Sequence, residues 1–70
     1  MYVPISFADG DIFTFAKNGS IIQYTEAEAH SHPSIVRLLH NESDVDNAED
    51  GSTYAIEVSL LEKLYGYDIN

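Results

Sequence analysis

Cysteine is absent from the 70 residues, which excludes disulfides, thiolate zinc sites and a thiol nucleophile. A chain of this length buries only about 60% of the surface its unfolded state exposes. Small domains ordinarily make up that deficit with disulfides, a metal or an oligomeric interface. With the first missing, oligomerisation becomes a candidate source of stability. The lack of cysteine is also compatible with a reducing cytoplasm.

Basic side chains are nearly as scarce. Three Lys and Arg stand against twelve Asp and Glu, a formal net charge of −9 and a sequence pI near 4.3. Such a chain is repelled by nucleic acid and by anionic membrane, and is drawn to basic surfaces. No apolar run approaches the roughly 18 residues of a membrane span, and Met1-Tyr2-Val3-Pro4 has no basic region of a secretory signal. The expectation is an unprocessed cytoplasmic chain with no membrane contact. High net charge is half the signature of disorder, but 44% of the residues are hydrophobic and eight are aromatic, five Tyr and three Phe. A folded single domain over residues 1–70 is expected.

Signatures of catalysis are missing as well. There is no Gly-x-Ser-x-Gly elbow, no phosphate-cradling glycine loop and no dinucleotide fingerprint, and so small a fold has little room for a water-excluded pocket. Neither an enzyme nor a cofactor is expected.

What is present reads as α+β. Residues 2–7 are β-formers, with Pro4 marking an edge strand or a strand start. Asp9-Gly10-Asp11 is a tight-turn signal, 12–16 a second strand, Asn18-Gly19 another turn pair and 20–24 a third strand. Two turns between three β-rich runs predict an antiparallel meander. Thr25-Glu26-Ala27-Glu28 has capping-box spacing and opens a short helix that Pro33 interrupts. A longer helix is predicted from Pro33 through Ile35, Val36, Leu38 and Leu39 to His40. Residues 41–53 read as an acidic loop, 54–58 as a half-buried strand. A second capping-box spacing, Ser59 to Glu62, opens a last helix that Gly66 stops. The expected architecture is a small antiparallel sheet, a meander plus a fourth strand, with two short helices on one face. One continuous helix over 54–65 is the competing reading.

His30, His32 and His40 suggest a metal only if His30 and His32 share a strand face; at a helix start they do not. Asp46, Asp50, Gly51 and Glu57 fall at positions 1, 5, 6 and 12 of an EF-hand loop. Ala48 at position 3 supplies no side-chain oxygen, and no second hand is present. No metal site is expected.

The carboxylates remain. Glu42, Asp44, Asp46, Glu49 and Asp50 place five acids within nine residues with no base among them. Asp9, Asp11, Glu26 and Glu28 lie outside that run. Acids keep small proteins soluble, but an excess of nine repels itself and costs folding stability, which points to a use. A compact 70-residue domain has a radius of gyration of about 11 Å and a diameter of roughly 28 Å. Over that length duplex DNA presents on the order of 16 charges, more than one monomer face supplies and within reach of a two-fold dimer.

In its length, pI, lack of cysteine, spread of Asp and Glu and foldable apolar content, the chain resembles the small acidic bacteriophage proteins that imitate DNA and block host DNA-binding proteins. The resemblance implies a host-takeover inhibitor that covers the basic DNA-binding surface of a partner, with nucleoid-associated proteins such as HU, polymerase, or CRISPR and restriction machinery as candidates. It implies Glu42, Asp44, Asp46, Glu49 and Asp50 as phosphate surrogates, Asp9, Asp11, Glu26 and Glu28 as outlying contacts, and no direct binding of nucleic acid. A different reading is an interaction module using an apolar patch or the sheet edge at Pro4, with Tyr2, Tyr65 and Tyr67 as contact aromatics. Leu60, Leu61, Leu64 and Tyr65 crowd four apolar residues into six positions of the last helix, which makes them the expected homodimer interface.

Overall fold

The structure, a computed structural model, describes residues 1–68. The fold is α+β. Strand β1 (Tyr2–Ala8) turns into β2 (Asp11–Thr14), a small hairpin β3 (Ala16–Lys17) and β4 (Ser20–Ile21) follows, then α1 (Glu26–Ser31), β5 (Ile35–Leu39), α2 (Glu42–Asp46), β6 (Thr53–Glu57) and α3 (Val58–Tyr65). The main sheet has the order β2-β1-β6-β5, and β3-β4 form a separate pair. The Cα radius of gyration is 11.0 Å and the body measures 27 × 26 × 20 Å, the size expected for this length.

Both predicted turns form. Asp9 (φ 53°) and Gly10 (φ 84°) close β1 onto β2, and Asn18 (φ 54°) and Gly19 (φ 81°) close β3 onto β4. Two successive positive φ values make the turn whose twist matches antiparallel strands, which Asp-Gly and Asn-Gly favour. The Thr25 capping box is also complete: the Glu28 N–H donates to the Thr25 hydroxyl and the Thr25 N–H to the Glu28 carboxylate. Gly66 ends α3 in the left-handed region.

Pro4 explains why the meander is broken. β1 is an inner strand, so of the two places its proline suggested, an edge or a strand start, only the second applies: Pro4 lies near the start of Tyr2–Ala8. Tyr2 exchanges both backbone hydrogen bonds with Tyr24, so Tyr2, Pro4 and Ser6 direct their backbone polar groups to that side. The β1-β2 ladder pairs Ser6 with Phe13 and Ile5 with Thr14. Its next pair would set Phe15 against Pro4, which has no N–H to offer. There the chain leaves the sheet, makes the β3-β4 hairpin, and returns at Tyr24 to pair with Tyr2.

Further expectations are corrected. The helix predicted over 33–40 is strand β5, lying parallel to β6 with a bulge between Ile35 and Leu38. Ile35, Leu38 and Leu39 satisfy a helical period, but on the strand adjacent Leu38 and Leu39 point to opposite faces and different core clusters, and the bulge returns Ile35 to the Leu38 face. The sheet is therefore mixed, and the parallel pair requires a crossover, which residues 40–52 supply. That crossover is not all loop. Asn41 caps α2, with Asp44 as the reciprocal acid, a variant of the capping box that a search for Ser or Thr overlooks. Helices also cover both faces. Ala29 of α1 packs with Tyr2, Leu38 and Ala55, while Leu60 and Leu61 of α3 pack with Val3, Ile5, Phe7, Leu39, Tyr54 and Ile56, joined by Val45 of α2. Finally, the Ser59 capping box does not form: β6 runs directly into α3, the cap position is Glu57 without a side-chain bond, and the Val58 N–H donates to the Met1 carbonyl. Residues 53–57 being a strand also removes the single helix over 54–65.

Tyr2 carries a testable consequence. Only 6% of it is exposed, its hydroxyl lies 3.2 Å from His40 Nδ1, and burial, with the charges of Glu26 and Glu57, pushes the phenol above its ordinary pKa. A raised folded-state value means the stability is fully present below the unfolded value and is lost as pH rises through the folded one. Denaturant midpoints measured from pH 8 to 11 should fall, and Tyr2→Phe should flatten that alkaline limb. An unchanged slope in the variant would show that Tyr2 does not govern it.

Candidate functional site

No charged side chain is buried among the described residues, so chemistry lies at the surface. An open depression of about 110 Å³ between α1 and β5, lined by residues including His30, Val36 and Arg37, is below the roughly 300–1,000 Å³ of small-molecule sites. The acidic surface is the larger feature.

Topology makes it a stripe. The crossover leaves β5 beside the Leu39, Ile56 and Val3 end of the sheet and rejoins β6 at Thr53, opposite Ser6. Glu42 and Asp44 open α2 at the first end, Asp46 closes it, and Glu49 and Asp50 follow. Three hydrogen bonds then pin the loop at the second end. The Gly51 N–H donates to the Phe7 carbonyl at 2.9 Å, the Glu49 N–H to the Tyr54 hydroxyl at 2.8 Å, and the Asp9 N–H to the Asp50 carboxylate at 3.1 Å. Asp9, some forty residues away in sequence, is thereby brought beside Asp50; Asp11, opposite Ala8, lies on the Tyr2 face of the sheet, away from α2.

The nine acids expected to meet a partner divide accordingly. Glu42, Asp46, Glu49, Asp50 and Asp9 are exposed along the stripe, Asp11 is exposed on the other face of the sheet, and none of the six has an ion-pair partner among the described residues. Asp44 is half-buried and structural: its carboxylate accepts from the His40 N–H at 2.8 Å and the Asn41 N–H at 3.3 Å. Asp46 sits near α3, where its charge adds to burial in raising the Tyr65 phenol. Glu26 and Glu28 belong to α1 on the opposite face. Glu28 is held below the usual carboxylate range by its hydrogen bonds from Thr25, and Glu26 lies 3.6 Å from His30. Arg37 borders the stripe, its guanidinium donating to the Asp44 carbonyl at 3.0 Å and lying 5.4 Å from the centre of the Tyr54 ring.

The other candidate residues are dispersed. His32 packs on Tyr24, His40 on Tyr2 and His30 beside Glu26. Of the EF-hand set, Asp46 ends a helix while Glu57 lies on β6, 3.9 Å from the Met1 amino group; among the described residues no three His, Asp or Glu converge as metal ligands. Leu60 and Leu61 cannot form the dimer interface expected of them, being 8% and 0% exposed within their own core. That core, on the α3 face of the sheet, absorbs the apparent surplus. Leu64 packs partly against it, which leaves Tyr65 alone exposed among the four. Tyr2 is likewise buried and not a contact aromatic. Sequence reasoning missed the exposed Phe13 and Phe15 on the hairpins; the Pro4 effect on the ladder was the signal that could have located them. No protein-family model matches the chain, and no curated protein or solved structure is significantly similar to it.

Proposed function

We propose that this chain is a DNA-imitating inhibitor that covers the basic DNA-binding surface of another protein and blocks its access to DNA. The observation that carries the reading is the stripe. From Val3 to Ala8 the sheet spans five steps, about 17 Å at ~3.4 Å per residue, and the exposed carboxylates of Glu42, Asp46, Glu49, Asp50 and Asp9 lie along it. One DNA strand places a phosphate about every 3.4 Å, so the same length holds roughly five. The stripe thus has the charge density of a single phosphate strand, with Arg37 at its border tied to the Asp44 carbonyl. Glu42, Asp46, Glu49, Asp50 and Asp9 act as the phosphate surrogates and Asp11 as an outlying contact; Asp44 holds α2 in place, and Glu26 and Glu28 face elsewhere. The inhibitor works in the cytoplasm of a cell whose nucleoid protein, of the HU kind, is the expected target.

The test is competition. A purified nucleoid protein of the HU kind is titrated with this chain in the presence of labelled duplex, at 50 and 300 mM salt. Displacement of the duplex at low salt, weakening steeply at high salt, is expected, because exposed charges separated by more than a Debye length are screened. A ternary complex that still holds its DNA would sink the reading. A second reading, an interaction module using an apolar surface or sheet edge, is favoured by Phe13 and Phe15, which are 51% and 39% exposed.

A further inference from the structure

We propose that β2 is the interface between two copies of this chain, its edge pairing antiparallel with its own copy across a two-fold axis at Phe13. The sheet has two edges, and they differ. β5 carries a bulge between Ile35 and Leu38, which discourages further pairing. β2 has neither bulge, nor proline, nor lysine.

Register follows from the backbone. Since Asp11 and Phe13 turn their polar groups to β1, Ile12 and Thr14 turn theirs outward, and no hydrogen bond to these outward groups occurs among the described residues. Antiparallel strands place opposed residues on one face. A two-fold at Phe13 therefore opposes Ile12 to Thr14 of the copy, as two hydrogen-bonded pairs. Phe13 opposes Phe13 in a non-hydrogen-bonded pair, the closer kind, where aromatic side chains gain most. Asp11 opposes Phe15 and meets no acid.

Charge selects the same arrangement. Asp9 lies four residues from the axis, so the two acidic turns stand about 27 Å apart along the strands, well beyond a Debye length of about 8 Å. Both stripes stay open, and the joined sheet has eight strands. The seam is short, which places the contact in the weak class. The pairing stands independently of DNA imitation: neutralising the stripe should leave it intact or tighten it.

Phe13→Cys tests it in a chain with no other cysteine. Opposed cysteines in a non-hydrogen-bonded pair lie about 4.5 Å apart at Cα, within disulfide range. Under air oxidation Phe13→Cys should cross-link to twice the 7.8 kDa of the chain, while Val36→Cys, 64% exposed on the other edge, should not. Sedimentation of the unaltered chain should show a dimer that grows with concentration and with salt, and Phe13→Lys should weaken it about tenfold or more by opposing like charges. Equal cross-linking of both cysteine variants, cross-linking of neither, or a monomer at every salt concentration would overturn the proposal. So would a monomer whose Phe13→Lys change removes binding to a different protein.

Discussion

Leu61→Ala is expected to bring the domain close to unfolding at room temperature. Leu61 is fully buried at the point where α3 meets the sheet, packed in one cluster with Val3, Ile5, Leu39 and Ile56. Removing such a side chain costs about 2–5 kcal/mol, the lost transfer energy plus the cavity left behind. A 70-residue domain holds on the order of 3.5–10 kcal/mol in total, and self-repulsion at −9 pushes this one down that range. The midpoint should fall by about 10 °C or more, given the several degrees that each kcal/mol shifts a domain of this size. Thermal unfolding followed by circular dichroism measures it. A shift of only a degree or two, with a change in oligomeric state instead, would mean that α3 is a seam between copies and not part of the core.

Neutralising the stripe should move binding and stability in opposite directions. The combined variant Asp9→Asn, Asp11→Asn, Glu42→Gln, Asp46→Asn and Glu49→Gln changes the net charge from −9 to −4, since five negative charges are removed. Asp44 and Asp50 are kept because their carboxylates hold backbone N–H groups. Asn at position 9 retains the turn, as Asn-Gly also favours two positive φ values. Each exposed charge pair contributes about 0.2–1 kcal/mol. Five of them account for roughly 1–5 kcal/mol, or about fivefold to several thousandfold in affinity for a basic partner. The fold should meanwhile gain stability, because less like charge is confined in a body 27 Å across. Chemical denaturation and a titration against a basic DNA-binding protein read the two effects separately. Unchanged affinity would remove the stripe from function whatever happened to stability.

Local chemistry was legible where a single residue dictates a backbone state. Asp9-Gly10 and Asn18-Gly19 turn, Thr25 caps, Gly66 stops, and each did so in the structure because the constraint is satisfied within four residues. The alternation of Tyr54, Ile56 and Val58 likewise located β6. The acidic character of 42–50 was plain from composition, and so was its exposure for most of the acids.

Segment 33–40 shows where that reasoning stops. Its apolar spacing suits a helix of one face or a bulged strand between two cores, and only the neighbouring β6 decides between them by offering backbone partners. Leu60 and Leu61 looked like surplus because a sequence does not say how many faces of the sheet will be covered. α1 and α3 take one each, and the core on the α3 face uses those leucines. The union of Asp9 with Asp50 depends on the crossover returning to the β1-β2 turn, a contact across forty residues that no local period encodes. Charge, size, turns and caps were therefore determined by the sequence itself, since they depend on composition or on a few adjacent dihedrals. Strand order, the parallel pair, the division between buried and exposed apolar residues and the line of the acidic stripe were decided by tertiary structure, because each depends on which distant segment supplies the missing hydrogen bonds and apolar surface.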